Sequence, residues 1–173
     1  PKGEEINYIL QRINKSHNED LIKERIVDLL KSMKKINKHI PLKGATVVEI
    51  GTGWEPICSV LLYLMGVKIC HTYDNVRHVR LHLAKILVRI IDDNLDEISK
   101  ITSITLSTLK KRVSKLKIHS NLDDFFLSAN IVYHAPGDAS RTDLEEGSVD
   151  LVYSHAVLEH VSKKTVYDLI KES

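Results

Sequence analysis

One stretch of the chain, residues 46–73, constrains the possible folds more than any other. Thr46–Ile50 is a β-branched run that ends in Gly51-Thr52-Gly53, which predicts a buried strand leading into a tight turn. An apolar helix from Pro56 to Met65 and a second strand over residues 67–73 are predicted next. Strand, helix and strand in this order form a βαβ unit, so we expect two parallel strands joined by a right-handed crossover.

Helical patterns flank this unit on both sides. Apolar spacing predicts two helices over residues 4–40, the second beginning near Asn18 as its N-cap, and a further helix from Val76 to about Ile91. Residues 92–128 are also mostly helical in pattern. Two more strands and a last helix are predicted over residues 131–134, 148–154 and 156–169.

The predicted fold class is therefore α/β, a Rossmann-like parallel sheet of about four strands with flanking helices and an N-terminal helical extension. The extension spans residues 1–40, and the sheet domain spans residues 41–173 with a helical insertion near 92–128. Since the fourth strand is the last one predicted, we expect its open edge to be a surface for self-association.

Composition excludes several classes of protein. Apolar residues make up 43% and charged residues 28%, as in ordinary globular domains, and a net charge of +2 gives no general attraction to nucleic acid. No apolar run reaches the ~18 residues that a membrane helix needs, and the first five residues are too charged for a signal peptide. Cys58 and Cys70 form no CxxC pair and predict buried free thiols. These features predict a cytoplasmic protein without a metal site.

The glycine turn has the residue types that bind an acidic or nucleotide-like ligand. Glycines let a ligand approach the main chain, and the helix beyond them offers free N–H groups. A dinucleotide-binding turn has a third small residue where this chain has Pro56, which disfavours a nicotinamide cofactor. Glu49 stands two residues before the first glycine, inside an apolar strand where an unpartnered carboxylate is costly.

A second acid, Asp74, follows the second predicted strand, 21 residues beyond Gly53. A carboxylate at the C-terminal end of that strand can accept hydrogen bonds from the vicinal hydroxyls of a ribose. Several nucleotide-binding families share this arrangement. Asp74, with Asn75 beside it, therefore predicts nucleoside binding without choosing between those families.

The spacing Glu49-x-Gly51-x-Gly53 resembles the first motif of class I S-adenosylmethionine-dependent methyltransferases, E/D-x-G-x-G-x-G. The resemblance implies that Gly51, Thr52 and Gly53 pass under the methionine end of the cofactor and that the acid steadies this turn. The chain departs from the family at the third glycine, where it has Glu55. Glu55 either faces the amino group of the cofactor or forms the acidic first turn of the helix.

Two later segments carry the resemblance further. Asp138 follows the third strand at the position where the family binds the adenine amino group, and the backbone of Ala139 would complete that contact. The string from Ser148 to Val161 is similar to type 11 methyltransferases, and its strand end is expected to present Ser154 and His155 to the cleft. His155 is the candidate for a cofactor contact or a general base. The resemblance covers residues 44–91 and 129–170.

The resemblance implies a protein that binds S-adenosylmethionine and transfers its methyl group to an O, N or C nucleophile of a small molecule. Class I methyltransferases have a seven-stranded sheet in the order 3-2-1-4-5-7-6, so four predicted strands imply the N-terminal, cofactor-binding portion of such an enzyme. Two alternatives stay open, a nicotinamide-dependent oxidoreductase and a non-catalytic Rossmann-like interaction module.

Overall fold

The computed structural model describes residues 18–173 and contains one parallel four-stranded sheet in the order β3-β2-β1-β4. The strands are β1 (Thr46–Ile50), β2 (Ile69–Tyr73), β3 (Ile131–His134) and β4 (Leu151–Ser154). The helices of the described residues are α1 (Glu19–Ile36), α2 (Ile57–Met65), α3 (Leu81–Asp93), α4 (Leu95–Thr102), α5 (Leu106–Leu116), α6 (Leu122–Ser128) and α7 (Lys163–Glu172), with a 3₁₀ turn at Leu158–His160. The predicted Rossmann-like α/β fold is confirmed.

The helix predicted near Asn18 is α1, and its start agrees with the sequence. The side chain of Asn18 accepts a hydrogen bond from the Asp20 N–H at 3.0 Å, and Glu19 and Asp20 lie in the first turn. An oxygen acceptor and negative charge at this end satisfy free N–H groups and complement the helix dipole. The first predicted N-terminal helix, within residues 4–17, lies outside the described residues.

The βαβ unit forms as predicted, with small shifts at its ends. All nine residues of α2 are buried, and Gly66 closes the helix in the left-handed region at φ +91°. The Val67 N–H bonds back to the Leu62 carbonyl, so Val67 completes the helix-closing turn and β2 begins only at Ile69. Pro56 occupies the N-cap position and makes no capping side-chain bond, so the helix begins one residue later than predicted, at Ile57.

The helix predicted from Val76 begins later, at Leu81. The Val76 N–H donates to Asp74 Oδ1 at 3.3 Å, and the His78 N–H donates to the Val76 carbonyl at 2.9 Å. These two bonds hold residues 74–78 as a turn, and Arg80 is extended before the helix starts. The 92–128 segment is helical as predicted and forms α4, α5 and α6.

The end of the described chain differs most from the prediction of a strand over 148–154 and a helix over 156–169. The Ser148 N–H donates to the Glu145 carbonyl in a turn, and β4 begins after this turn, at Leu151. Ala156 then adopts a left-handed backbone at φ +56°, which interrupts any helix begun there. A new helix, α7, starts where the Ser162 side chain caps the Thr165 N–H at 3.1 Å.

The sheet separates two apolar clusters of unequal size. Val47, Cys70 and Ile131 face the larger cluster, to which α1 through α6 all contribute. Val48 and Tyr73 face the smaller one, with Ala139 and Leu169 of α7. Both cysteines are buried free thiols, as predicted. No helix within residues 18–173 combines the length and apolarity needed to cross a membrane.

Candidate functional site

A cleft of about 1040 Å³ opens where β1 and β2 end, at the carboxyl edge of the sheet. This is the edge at which parallel α/β sheets bind their ligands. The structure brings most of the predicted site residues together in its lining: Glu49, Gly51, Thr52, Gly53, Asp74, Asn75, Asp138, Ala139 and His155. Ser154 is not part of the lining, and its hydroxyl instead donates to the carbonyl of Ile50, its neighbour in β1, at 3.3 Å.

The glycines of the turn are required for two different reasons. Gly51 has φ +86°, and a Cβ there would lie 2.2 Å from Cγ2 of Val157, so the Val157 side chain packs directly on this glycine. Gly53 has φ +72°, but a Cβ there would meet nothing within 4 Å. The space for a ligand to approach the main chain therefore lies at Gly53, whereas the space at Gly51 is used by the segment after β4.

The carboxylate of Asp74 organises the centre of the cleft. Its Oδ2 accepts a hydrogen bond from the Gly53 N–H at 3.0 Å and so ties the end of β2 to the glycine turn. Its Oδ1 accepts from the Val76 N–H and lies 3.9 Å from Nε2 of His78. Each carboxylate oxygen has a further lone pair, so these bonds leave acceptor capacity for a ligand hydroxyl.

Below the turn, Glu49 is almost completely buried, with 3% of its surface exposed. Burial raises the pKa of Glu49 to about 7, although interactions with the Thr72, Cys58 and Ser59 side chains oppose the shift. Within residues 18–173, its Oε2 has no hydrogen-bond partner. A carboxyl group in this setting holds its proton far more readily than one in water.

Thr52 is the second buried polar residue of the turn. Its hydroxyl lies 2.6 Å from the hydroxyl of Thr72 in β2, and both side chains are buried. One hydroxyl donates to the other, so the pair satisfies a polar contact inside the protein and links the turn to the sheet. Together with the Asp74 bond to Gly53, this contact fastens the turn to β2 at two points.

The loop after β3 brings Asp138 and Ala139 to the far side of the cleft. Asp138 Oδ1 accepts hydrogen bonds from the hydroxyl and the N–H of Ser140, at 2.7 and 2.9 Å. These two bonds lower the pKa of Asp138, the bond from the hydroxyl more than the bond from the N–H. Its carboxylate is thus held in a local turn at the cleft wall, while Ala139 is buried beside it.

The segment after β4 forms the outer wall. His155 is exposed and lines the cleft. Glu159 and His160 lie in the 3₁₀ turn, not on the long helix that was predicted, and their side chains pair at 3.4 Å. Within residues 18–173, no cluster of three or more His, Cys, Asp or Glu side chains could hold a metal ion.

Sequence reasoning missed some of the cleft residues. Arg25 of α1 reaches the cleft and lies 3.9 Å from Glu55, whose side chain is only 9% exposed. Trp54 and His78 place their rings 4.8 Å apart beside Asp74. The helix predicted from Val76 would have put His78 on its surface. No local pattern marks Arg25, because it lies on the polar face of an amphipathic helix.

The parallel sheet, its glycine turn and the cleft at the carboxyl ends of β1 and β2 define a Rossmann-like α/β protein, a class that binds its ligands at this edge of the sheet. Residues 91–173 match the type 11 family model described as Methyltransferase domain, and this match supports the class I S-adenosylmethionine-dependent methyltransferase family. The matched residues include β3, Asp138 and β4 together with the 92–128 segment that the motif resemblance left out. The match does not cover Glu49 or the glycine turn. The resemblance of these residues to the family therefore depends on their motif and on their geometry in the cleft.

Searches among curated proteins and among solved structures found no significant match. The expected family is thus supported by one family model and by the fold. The match supports S-adenosylmethionine-dependent methyl transfer in general and does not identify the methyl acceptor.

Proposed function

We propose that the chain binds S-adenosylmethionine in this cleft and takes part in transferring the methyl group to an O, N or C nucleophile of a small molecule. The observation that carries the proposal is the bond from the Gly53 N–H to Asp74 at 3.0 Å. This bond places the glycine turn beside Asp74, an acid at the strand end where related folds bind a ribose, in one cleft at the carboxyl edge of the sheet.

The residues present fit the parts of such a cofactor. Asp74 and Asn75 would accept hydrogen bonds from the ribose hydroxyls. Asp138 and the backbone of Ala139 would face the adenine. The open main chain at Gly53 would lie under the methionine end. The buried Oε2 of Glu49 gives the cleft an acceptor without a partner among residues 18–173.

Glu55, which stands where the family motif has its third glycine, also fits the methionine end of the cofactor. Glu55 and Arg25 offer one negative and one positive group 3.9 Å apart at the cleft wall. We propose that Glu55 faces the α-ammonium group of the cofactor and that Arg25 faces its carboxylate. Opposite charges at this spacing match a zwitterion better than they match a neutral group.

The chemistry follows from positioning. When bound, the cofactor supplies an electrophilic methyl group on a sulfonium centre. The cleft residues hold the cofactor in one orientation, and His155 at the outer wall can take a proton from an acceptor. The protein contributes mainly by aligning the reacting atoms, and this requires no buried catalytic group. The buried thiols Cys58 and Cys70 support a reducing, cytoplasmic location.

The test is a thermal-shift measurement with S-adenosylhomocysteine and with NAD at equal concentrations. We expect S-adenosylhomocysteine to stabilise the chain, by about 2.7 kcal/mol at a hundred times its Kd, and NAD to have no effect. Asp74→Ala should abolish the shift, while Asp28→Ala, on the exposed face of α1, should leave it unchanged.

Other outcomes would favour the alternatives. Stabilisation by NAD alone would favour the oxidoreductase. No stabilisation by either ligand at millimolar concentration would favour the non-catalytic interaction module.

A further inference from the structure

The unusual group in the cleft is the carboxyl of Glu49. Its register places it beside Thr72 of β2 and Tyr153 of β4, on the face of the sheet that α2 covers. Glu49 is 3% exposed, it lines the cleft, and its Oε2 has no hydrogen-bond partner within residues 18–173. A buried acceptor left without a donor costs free energy, which a ligand could recover.

The groups that face Glu49 supply no compensating positive charge. From α2 come Cys58 and Ser59, and from the neighbouring strands come Thr72, Cys70 and Tyr153. Burial raises the pKa of both thiols and of Tyr153, so these groups are neutral near pH 7. The charged group that acts on Glu49 is Asp74, which is negative and raises the pKa of Glu49 further.

The state of Glu49 must therefore depend on the charge of whatever fills the cleft. An ionised carboxylate at this depth is unfavourable without a nearby cation. A ligand with a net positive charge supplies that cation and favours loss of the proton. A ligand without it leaves the protonated form in place.

We propose that Glu49 is a charge sensor that distinguishes the methyl-donating cofactor from the demethylated product. Its carboxyl group releases its proton to solvent when the sulfonium form binds, and it takes a proton back when the methyl group has left. This proposal rests on the proposed function, because it assumes that the cleft binds S-adenosylmethionine.

The charges balance in each step. S-adenosylmethionine and S-adenosylhomocysteine share the same ammonium, carboxylate and adenosine groups, and they differ by the one positive charge of the sulfonium. When the sulfonium form binds, one positive charge enters the cleft and Glu49 releases one proton to solvent, so the net charge of the cleft does not change. Loss of the methyl group converts the sulfonium to a thioether, which removes the positive charge and restores the conditions under which Glu49 is protonated. The ionised carboxylate attracts the product less than it attracts the sulfonium form, so the preference of the cleft for S-adenosylmethionine should increase as the pH rises.

Proton release can be measured directly on the unmodified chain. Isothermal titration calorimetry at pH 6.5, in two buffers of different ionisation enthalpy, gives the number of protons exchanged on binding. With the pKa of Glu49 at about 7, we expect S-adenosylmethionine to release about 0.8 proton, and S-adenosylhomocysteine to release almost none.

The pH dependence of the affinities gives a second measurement. Between pH 5.5 and 7.0, the ratio of the two Kd values should shift about 15-fold in favour of S-adenosylmethionine. Glu49→Gln keeps the shape of the side chain but cannot ionise, so it should make this ratio independent of pH. Glu24→Gln, an exposed carboxylate of α1 outside the cleft, is the matched control and should behave like the unmodified chain.

The outcomes separate the two proposals. Equal proton release for both ligands, or a Glu49→Gln variant that keeps the pH-dependent ratio, would overturn the charge sensor while leaving cofactor binding in place. If neither ligand binds, the proposed function fails and the charge sensor fails with it. Should Glu49→Gln not fold, the calorimetry on the unmodified chain still decides.

Discussion

At the scale of single residues, the cleft is a set of acids in contrasting environments. Glu49 is buried and holds its proton readily, whereas Asp138 is exposed and two hydrogen bonds from Ser140 lower its pKa. Asp74 is half-buried, and it accepts hydrogen bonds from the backbone N–H groups of two segments. Similar side chains thus take different states because burial and donors differ from site to site.

The raised pKa of Glu49 predicts a pH-dependent cost to folding. The folded protein keeps the proton up to about pH 7, whereas the unfolded chain loses it near 4.5. Below pH 4.5 both states are protonated and the group costs nothing. The penalty grows as the pH rises from 4.5 to 7 and then stays constant, at up to about 3 kcal/mol.

Glu49→Gln cannot ionise, so it removes this pH dependence. We expect the difference in unfolding free energy between the variant and the unmodified chain to shift in favour of the variant from pH 5 to pH 8. Urea denaturation across this range measures it, with Glu24→Gln as control. A difference that stays constant with pH would mean that folding does not raise the pKa of Glu49.

At the scale of elements, the glycine turn depends on a segment about a hundred residues further along the chain. Val157 follows β4 and packs on Gly51, while Asp74 at the end of β2 binds the Gly53 N–H. The turn is therefore held from both neighbouring strands. Its shape depends on the βαβ unit and also on how the chain leaves β4 through the left-handed Ala156.

This dependence predicts different costs for two similar substitutions. Gly53→Ala meets no atoms and should cost only the strain of a positive φ, about 1 to 2 kcal/mol. Gly51→Ala adds a collision with Val157 and should cost about 3 kcal/mol.

Thermal or urea unfolding without ligand measures both values. In the double variant Gly51→Ala/Val157→Ala, part of the loss should be recovered. Equal losses for the two single variants would show that Val157 does not constrain the turn.

At the scale of the whole molecule, the sheet is covered unequally. Helices α1 through α6 share the large cluster on one face, whereas α7 and the loop around Ala139 cover the other. Among the described residues, β4 pairs with β1 alone, so its second edge is open. An open parallel edge has unpaired N–H and carbonyl groups that another strand can bind.

Self-association through β4 accordingly stays a prediction, and it can be tested. We expect the weight-average mass in sedimentation experiments to rise over the micromolar concentration range. Hydrogen exchange of the β4 amides should slow with concentration, while the α1 amides, away from the sheet edges, serve as the internal reference. A monomer mass at all concentrations would contradict this prediction.

The amino-acid sequence alone determined the features that depend on local patterns. The bounds of β1 and β3, the Asn18 cap and the order of the βαβ unit could all be predicted, because apolar period and capping chemistry act over a few residues. Only the tertiary structure decided the break at Ala156, the positions of Arg25 and His78 at the cleft, and the raised pKa of Glu49. Each of these depends on burial and contacts between segments far apart in the chain, which no local pattern records.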